Sequence, residues 1–508
     1  MRGHPGSAGV TPARPDARTL IATFLDPGTW TSWDTAPADP APPGSDYAGE
    51  LAATRARTGY DESVVSGEGL LDGRRVAVIA CEFSFLAGSI GVAAAERLTA
   101  AIERATAERL PLLAAPASGG TRMQEGAMAF VQMVKITAAV AAHRAAGLPY
   151  VVYLRHPTTG GVFASWGSLG HVTAAEPGAL IGFLGPRVFE SLHGHPFPEG
   201  VQVSENLFAH GLVDAVVSAE DARRIAVRAL AVLCAPRRGL DPGPEPGERV
   251  PPIQAWDAIG RSRRDDRPGV RALLRLGAHE VTPLNGTGEG ENDPGLILAL
   301  ATFGRAPAIV LGQDRRSRRI DAPLGPAGLR VARRGMRLAS ELGLPLVTVI
   351  DTAGAALSRA AEEGGLAAEI ARSVADLVML DAPTVCLLLG EGAGGAALAL
   401  LAADRVLCAQ HGWLSPLSPE AASALLYRSV DFAPEIAAAQ GVISTDLRRD
   451  GLVDRIVPER PDAAYEPEAF CRRLSRALEY EIAGLLAQEP ADRLAARLAR
   501  YRALGLAG

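Results

Sequence analysis

Short, uniformly apolar runs alternate along the chain with longer alanine-rich segments in which apolar residues recur every three or four positions. The runs LPLLAAP (110–116), GLPYVVYLRH (147–156), LPLVTVID (344–351) and APTVCLLLG (382–390) predict buried strands; the segments between them predict amphipathic helices. Strand and helix alternating in this way define an α/β fold. Residues 1–45, rich in Pro, Gly, Ala and Asp, contain one apolar island, ARTLIATFLDPGTW, expected to dock as a helix. A second break, 236–268, is expected to be an irregular linker because Pro and Gly interrupt it. The resulting division is a first domain at 46–235 and a second at 269–508.

The pattern repeats. Leu110-Pro111-Leu112 recurs 234 residues later as Leu344-Pro345-Leu346. The same offset carries Gly120 to Gly354, Pro149 to Pro383, Gly160 to Gly394 and Gly161 to Gly395, without a gap. One glycine coincidence means little, but an ungapped series at one offset indicates internal duplication. Each half is predicted to run long helix, buried strand, glycine loop, helix, second strand, and a Gly-Gly step opening a further helix.

Composition narrows the function. At 508 residues the chain is too long for one core, and 48% hydrophobic with 21% charged residues describes a globular protein. A net charge of −6 argues against nucleic-acid binding. The apolar stretch from Leu377 to Leu407 is broken by Asp381, Glu391 and Asp404 and reads as buried, not membrane-spanning. No apolar signal precedes Asp16, and five scattered cysteines without a C-x2-C pair suit a reducing cytoplasm and offer no metal ribbon.

The glycines are the candidate chemistry. Ser118-Gly119-Gly120 and Thr159-Gly160-Gly161 follow adjacent strands in the first half. Asp351-Thr352-Ala353-Gly354-Ala355 and Gly394-Gly395-Ala396 do so in the second. Ligands of open α/β sheets bind at such carboxyl ends. Glycine lets a ligand approach backbone N–H groups, and one N–H from each loop makes an oxyanion hole worth about 3 kcal/mol per donor. Two holes suit a reaction with two developing oxyanions: a thioester enolate and the ureido oxygen of a biotin that has lost CO2. The biotin anion can itself take the thioester's α-proton, so the absence of a Ser-His-Asp or paired-carboxylate set is consistent. Arg122, Arg155 and Ala355 are candidate substrate contacts. For Arg122, which could contact CoA or an oligomer partner, a helix-start ion pair with Glu125 is an equal alternative; His156 and the run Asp314–Arg319 read more readily as structure and as a solvated loop. Trp166 and Phe163 are expected in the core.

The stretches ASGGTRMQEG, QMVKITAA, GLPYVVYLRHPTTGGVFASW and AAEPGALIGFLGPRV resemble the bacterial acetyl-CoA carboxylase carboxyltransferase beta subunit. GLPLVTVIDTAGA, AAEEGGLAAEIAR, APTVCLLLGEGAGGAALAL and LSPLSPEAASALLYRS resemble its alpha subunit, in beta-then-alpha order. The resemblance implies two crotonase-like domains, acyl-CoA on the first and carboxybiotin on the second. Gly120, Gly160 and Gly161 then face the enolate, and Gly354, Gly395 and Ala396 the ureido oxygen. It also implies an oligomer, dimer or hexamer, with active sites between unlike halves of different chains. Two motifs depart from the family pattern: Ala353 stands where DTPGA has proline, and Ala393 interrupts the usual GEGGSGG. The zinc ribbon of many beta subunits is absent. Biotin is attached to a lysine flanked by methionines. Lys135, the single lysine, is followed by Ile136, so the expected partner is a separate biotin carrier with its carboxylase. Malonate decarboxylase and a non-catalytic acyl-CoA scaffold are the rival readings.

Overall fold

The computed structural model describes residues 14–241, 243–245, 250–316 and 322–505. Its two large sheets share the same plan, and a two-stranded parallel pair lies outside them in the first half. The first half supplies β1 (Thr31–Ser32), β2 (Val64–Leu71), β3 (Arg74–Cys81), β4 (Leu112–Ala115), β5 (Tyr150–Leu154), β6 (Thr158–Thr159), β7 (Val172–Ala175), β8 (Ile181–Gly182) and β9 (Ala215–Val216). The second supplies β10 (His279–Leu284), β11 (Leu296–Phe303), β12 (Ala306–Gln313), β13 (Leu346–Thr352), β14 (Thr384–Ala393), β15 (Arg405–Ala409), β16 (Trp413–Ser415) and β17 (Arg455–Val457). The sheet orders are β1-β2-β3-β4-β5-β7-β9 and β10-β11-β12-β13-β14-β15-β17. In each, two antiparallel pairings lead into a run of parallel ones.

The duplication survives at the level of register. Leu112 pairs with Tyr150, and 234 positions on Leu346 pairs with Thr384. The isolated bridge Ile90–Thr121 recurs as Leu324–Ala355. Helices Val92–Ala107 and Pro326–Leu342 begin at the same offset. The four runs predicted as strands are all strands, and every residue of β4, β5, β13 and β14 is buried. That explains why they read as continuous apolar runs and not as alternations.

The expected N-terminal helix forms at Ala17–Phe24, capped by Asp16, with Leu20, Ile21 and Phe24 buried. The break at 236–268 is less irregular than its composition suggests. Past its prolines it forms helix Ala255–Ser262, with Ala258 and Ile259 buried. Ser262 Oγ accepts the buried Trp413 indole N–H at 3.0 Å, and Arg263 pairs with Glu391 at 2.6 Å. Beyond it, the Arg267 guanidinium is wholly buried against Glu459 at 2.5 Å. The latter part of the linker therefore belongs to the second half.

Helix Ala219–Leu233 packs on the N-terminal helix and reaches β10 and β11; its buried face belongs to the apolar cluster shared by both halves. Polar ties reinforce the joint: Arg334 to Asp214 at 2.9 Å and Arg144 to Glu341 at 2.6 Å. Among the described residues one helical stretch, Met123–Ala145, is long and apolar enough to cross a membrane by length and composition. Ala129, Met133, Ile136 and Val140 on it are buried within the first half, whereas Phe130, Val131 and Val134 are exposed.

Candidate active site

The first glycine pair is laced together by its own backbone. Ser118 N–H donates to Pro157 O at 2.6 Å, and Thr159 N–H to Ser118 O at 3.0 Å. Gly120 (φ +112°) and Gly160 (φ +64°) have left-handed backbones that disfavour any side chain. A Cβ on Gly160 would stand 3.3 Å from Gly120 Cα, and one on Gly120 would stand 3.9 Å from Gly161 N. The two loops thus meet glycine to glycine.

Their donors are not equivalent. Gly119 N–H is spent on Ala87 O at 2.9 Å and Gly160 N–H on Phe183 O at 2.9 Å. Gly120 N–H donates to the buried Ser118 hydroxyl at 3.0 Å. Gly161 N–H makes no hydrogen bond among the described residues. It is the donor the first site has free, with Gly120 available by displacement of Ser118 Oγ. Met133 supports this loop from below: its Cγ lies 3.1 Å from where a Cβ on Gly161 would be.

The second half repeats the local chemistry with altered spacing. Thr352 stands 234 positions after Ser118, and its hydroxyl accepts Gly354 N–H at 3.1 Å. A hydroxyl two residues before the loop glycine is therefore part of both sites. The shared offset carried that signal, although the glycines alone were singled out from it. Gly354 (φ +139°) faces open space. It lines a cavity of about 160 Å³ with Ala355, Asp351, Gln313 and Leu324. The Gly-Gly step opens helix Gly394–Leu398, whose first N–H groups carry no side-chain cap, so Gly394, Gly395 and Ala396 keep donors unpaired among the described residues. In the first half the corresponding step after Gly160 forms turns that run into a short 3-10 helix at Trp166–Ser168, which corrects the expectation of a regular helix opening there.

Gln313, unremarked in the sequence, joins the two second-half loops. Its Oε1 accepts Asp351 N–H at 3.1 Å and its Nε2 donates to Ala396 O at 2.7 Å. It is buried at the end of β12, so a single amide side chain sets the distance between the glycine loops. Asp351 is buried beside it, with Arg315 Nε 3.5 Å from its carboxylate.

The two arginines expected at substrate are committed elsewhere. Arg122 is buried and pairs with Glu62, Nη1 to Oε2 at 3.0 Å, and also donates to Ser89 O at 2.8 Å. Burial alone would discharge it; Glu62 more than reverses this and holds its pKa above the usual value. Glu125 lies farther away, at 3.6 Å, and instead accepts Val92 N–H at the start of helix Val92–Ala107. Arg155 is buried too, donating to Cys81 O at 2.9 Å and to Pro15 O, which pins the N-terminal helix. Both corrections have one cause: these side chains reach partners distant in sequence. His156 is likewise structural, its Nδ1 accepting Leu180 N–H at 3.1 Å. Trp166 is buried as expected and Phe163 packs partly buried against the same core. Of the Asp314–Arg319 run, Asp314 pairs with Arg271 at 2.6 Å and Arg315 donates to Ser262 O at 2.9 Å. Residues 317–319 lie outside the described residues.

Residues 248–505 match the family model described as acetyl co-enzyme A carboxylase carboxyltransferase-like. A probable biotin-dependent acyl-coenzyme A carboxylase beta3 subunit of Mycobacterium tuberculosis is 61% identical over 96% of this chain and 98% of its own length. The chain belongs to the carboxyltransferases of biotin-dependent acyl-CoA carboxylases. A fused beta/alpha acetyl-coenzyme A carboxylase carboxyl transferase of Salinispora tropica is 38% identical over 98% of this carboxyltransferase and 92% of its own length. The fold is the two-domain crotonase-like one. Transcarboxylase 12S, solved as a hexamer with hydrolysed methylmalonyl-coenzyme A bound, superimposes with a TM-score of 0.70 at 20% identity, over 90% of this chain and 88% of that one.

Among the described residues one cluster has a metal-like composition: His411, Glu459 and Asp462 bring their ligand atoms within 4.8 Å of one another. Its charge is already answered. Glu459 accepts from Arg267 at 2.5 and 2.6 Å and from His411 Nδ1 at 2.9 Å. Burial would raise its pKa, but the guanidinium holds it well below the carboxylate range. A cation there would have to displace Arg267, so the cluster reads as an ion-pair knot fixing the linker.

Proposed function

We propose that the chain transfers the carboxyl group of carboxybiotin, borne on a separate carrier protein, to the α-carbon of a short acyl-CoA. Acetyl-CoA, giving malonyl-CoA for fatty acid synthesis, is the favoured substrate. The observation that carries this reading is the pair of glycine sites at equivalent strand ends of two sheets, each with free N–H donors. Carboxybiotin supplies CO2 and, after its N–C bond breaks, the base that takes the α-proton. Gly161, with Gly120, holds the thioester oxygen as the enolate forms. Gly395 and Ala396, across from Gly354, hold the ureido oxygen as its negative charge grows. The enolate carbon then attacks CO2, so atoms and charge balance without a side-chain base.

Lys135 supports a carrier in trans. It is the single lysine in the chain, and it forms an ion pair with Glu96 on a helix face. The ATP-driven carboxylation of biotin belongs to the partner. A homo-oligomer, dimer or hexamer, fits the exposed apolar residues of the two halves: Phe130, Val131 and Val134 in the first, Leu425, Leu426 and Tyr427 in the second. Five free thiols fit a cytoplasmic setting.

The test is the reverse reaction. Malonyl-CoA is expected to lose CO2 only when free biotin or biocytin is present, and running methylmalonyl- and longer carboxyacyl-CoAs beside it ranks the substrates. Release of CO2 without biotin would favour a malonate decarboxylase, and silence under both conditions a binding scaffold.

A further inference from the structure

At the opposite end of β14 from its glycines lies a cavity of about 490 Å³. Its walls come from the start of the linker (Arg237 to Leu240), the turn before β14 (Asp381 to Pro383), Gly343, and the corner between helices Pro467–Leu486 and Pro490–Ala503. Two arginines face it with hydrogen-bonding capacity left over. Arg237 donates once, to Leu233 O at 2.8 Å, and has no carboxylate partner among the described residues. Its Nε is buried without a hydrogen bond. Arg493 is 4% exposed and reaches carbonyls Leu485 O, at 3.5 Å, and Asp381 O. Its Nε also lacks a hydrogen bond, with Asp404 at 3.7 Å. Burial lowers the pKa of both, as expected for cations not fully compensated.

The geometry points to a binding site for a small organic phosphate, held by Arg237 and Arg493. Guanidinium groups with unspent N–H donors match phosphate oxygens, and helix Pro490–Ala503 begins at the same cavity without a side-chain cap. The cavity is larger than one phosphate requires and lies within the usual range for small-molecule sites. Leu240, Pro383, Ala483 and Leu486 give it apolar wall for a non-phosphate portion. The exposed carboxylates of Asp381 and Glu489 also line it, so the two guanidinium groups must outweigh their repulsion of an anion. Because β14 is 10 residues long, the cavity stands about 30 Å from Gly394. A ligand there would clamp linker, β14 root and C-terminal helices together without touching the glycine sites.

The probes are ADP, pyrophosphate and orthophosphate, titrated calorimetrically into the full-length protein in buffer free of phosphate and sulfate. ADP is expected to bind saturably and more tightly than orthophosphate, equally well with malonyl-CoA present. Arg237→Gln is expected to weaken ADP at least about tenfold while leaving biotin-dependent malonyl-CoA decarboxylation unchanged. Ala487→Glu, which places a carboxylate at an exposed position on the cavity wall, should weaken ADP similarly should Arg237→Gln fold poorly. Absence of saturable ADP binding, binding indifferent to both substitutions, or displacement of ADP by malonyl-CoA would each overturn the proposal.

Discussion

The two glycine sites are copies that have diverged in tightness. In the first half, Gly120 and Gly160 touch, their loops share backbone hydrogen bonds, and among the described residues Gly161 alone of the four loop glycines has its N–H unengaged. In the second half, Gly354 faces open space beside a cavity, and Gln313 holds the loops at a distance. The same divergence appears at the helix entering each site. Of the first N–H groups of helix Val92–Ala107, that of Val92 is answered by Glu125, just past the neighbouring glycine loop. Helix Pro326–Leu342 is answered by Asp293 from before β11, through Gly325 N–H at 2.9 Å and Gly328 N–H at 3.1 Å. The lesson is that duplication preserved the strand ends and glycines, while each copy found its own supports. Under the proposed function, the closed site would take the small thioester oxygen and the open one the ring arriving on a carrier.

Substitutions that fill the glycine sites should break this comparison most severely. Gly161→Val meets Met133 at the floor of the first site, and Gly395→Val meets Ile370, whose Cδ1 would lie 2.7 Å from the new Cβ. Either is expected to lower biotin-dependent decarboxylation of malonyl-CoA by roughly a thousandfold or more, with the protein still folded by circular dichroism. Retained turnover in both would remove the oxyanion-hole assignment.

Arg122→Leu comes next, because it leaves Glu62 buried without its cation. Urea denaturation is expected to show a loss of about 3–5 kcal/mol. A loss of substrate affinity with unchanged stability would return Arg122 to the role of substrate contact. Gln313→Leu should act on one side only: a ten- to hundredfold fall in kcat at saturating biotin, roughly the effect of a misplaced donor, with KM for malonyl-CoA unchanged. A KM effect on malonyl-CoA would show that Gln313 does not separate the two sites.

The smallest effect concerns pH. His143, fully buried, bonds Thr106 Oγ1 through Nδ1 at 2.9 Å, and burial lowers its pKa to about 4. The unfolded chain therefore takes up a proton near pH 6.5 that the folded chain refuses. Stability should fall as pH drops from about 6.5 towards 4, by no more than about 3 kcal/mol from this group. His171, also lowered by burial, adds to the same slope. His143→Gln should flatten part of the stability–pH curve in that window, and an unaltered curve would show that His143 is charged when folded.

The strands, the duplication and the glycine loops were legible because they depend on local pattern and fixed spacing. Buried strands must be apolar throughout, and left-handed positions such as Gly120 and Gly160 admit little besides glycine. What was not legible depends on contacts across the sheet. Arg122 finds Glu62 and Arg155 finds Pro15 at separations no motif records, so both looked free for substrate. Gln313 ends a strand in an ordinary polar residue, and its importance appears only when Asp351 and Ala396 close around it. The linker helix Ala255–Ser262 was hidden by the prolines before it.

The most direct test of two sites with separate duties is a paired ligand measurement on Gly161→Val and Gly395→Val. The account predicts that Gly161→Val disturbs the response to malonyl-CoA while binding of biocytin is kept, and that Gly395→Val does the reverse. If both substitutions disturb the same ligand, the assignment of one half to acyl-CoA and the other to biotin is wrong.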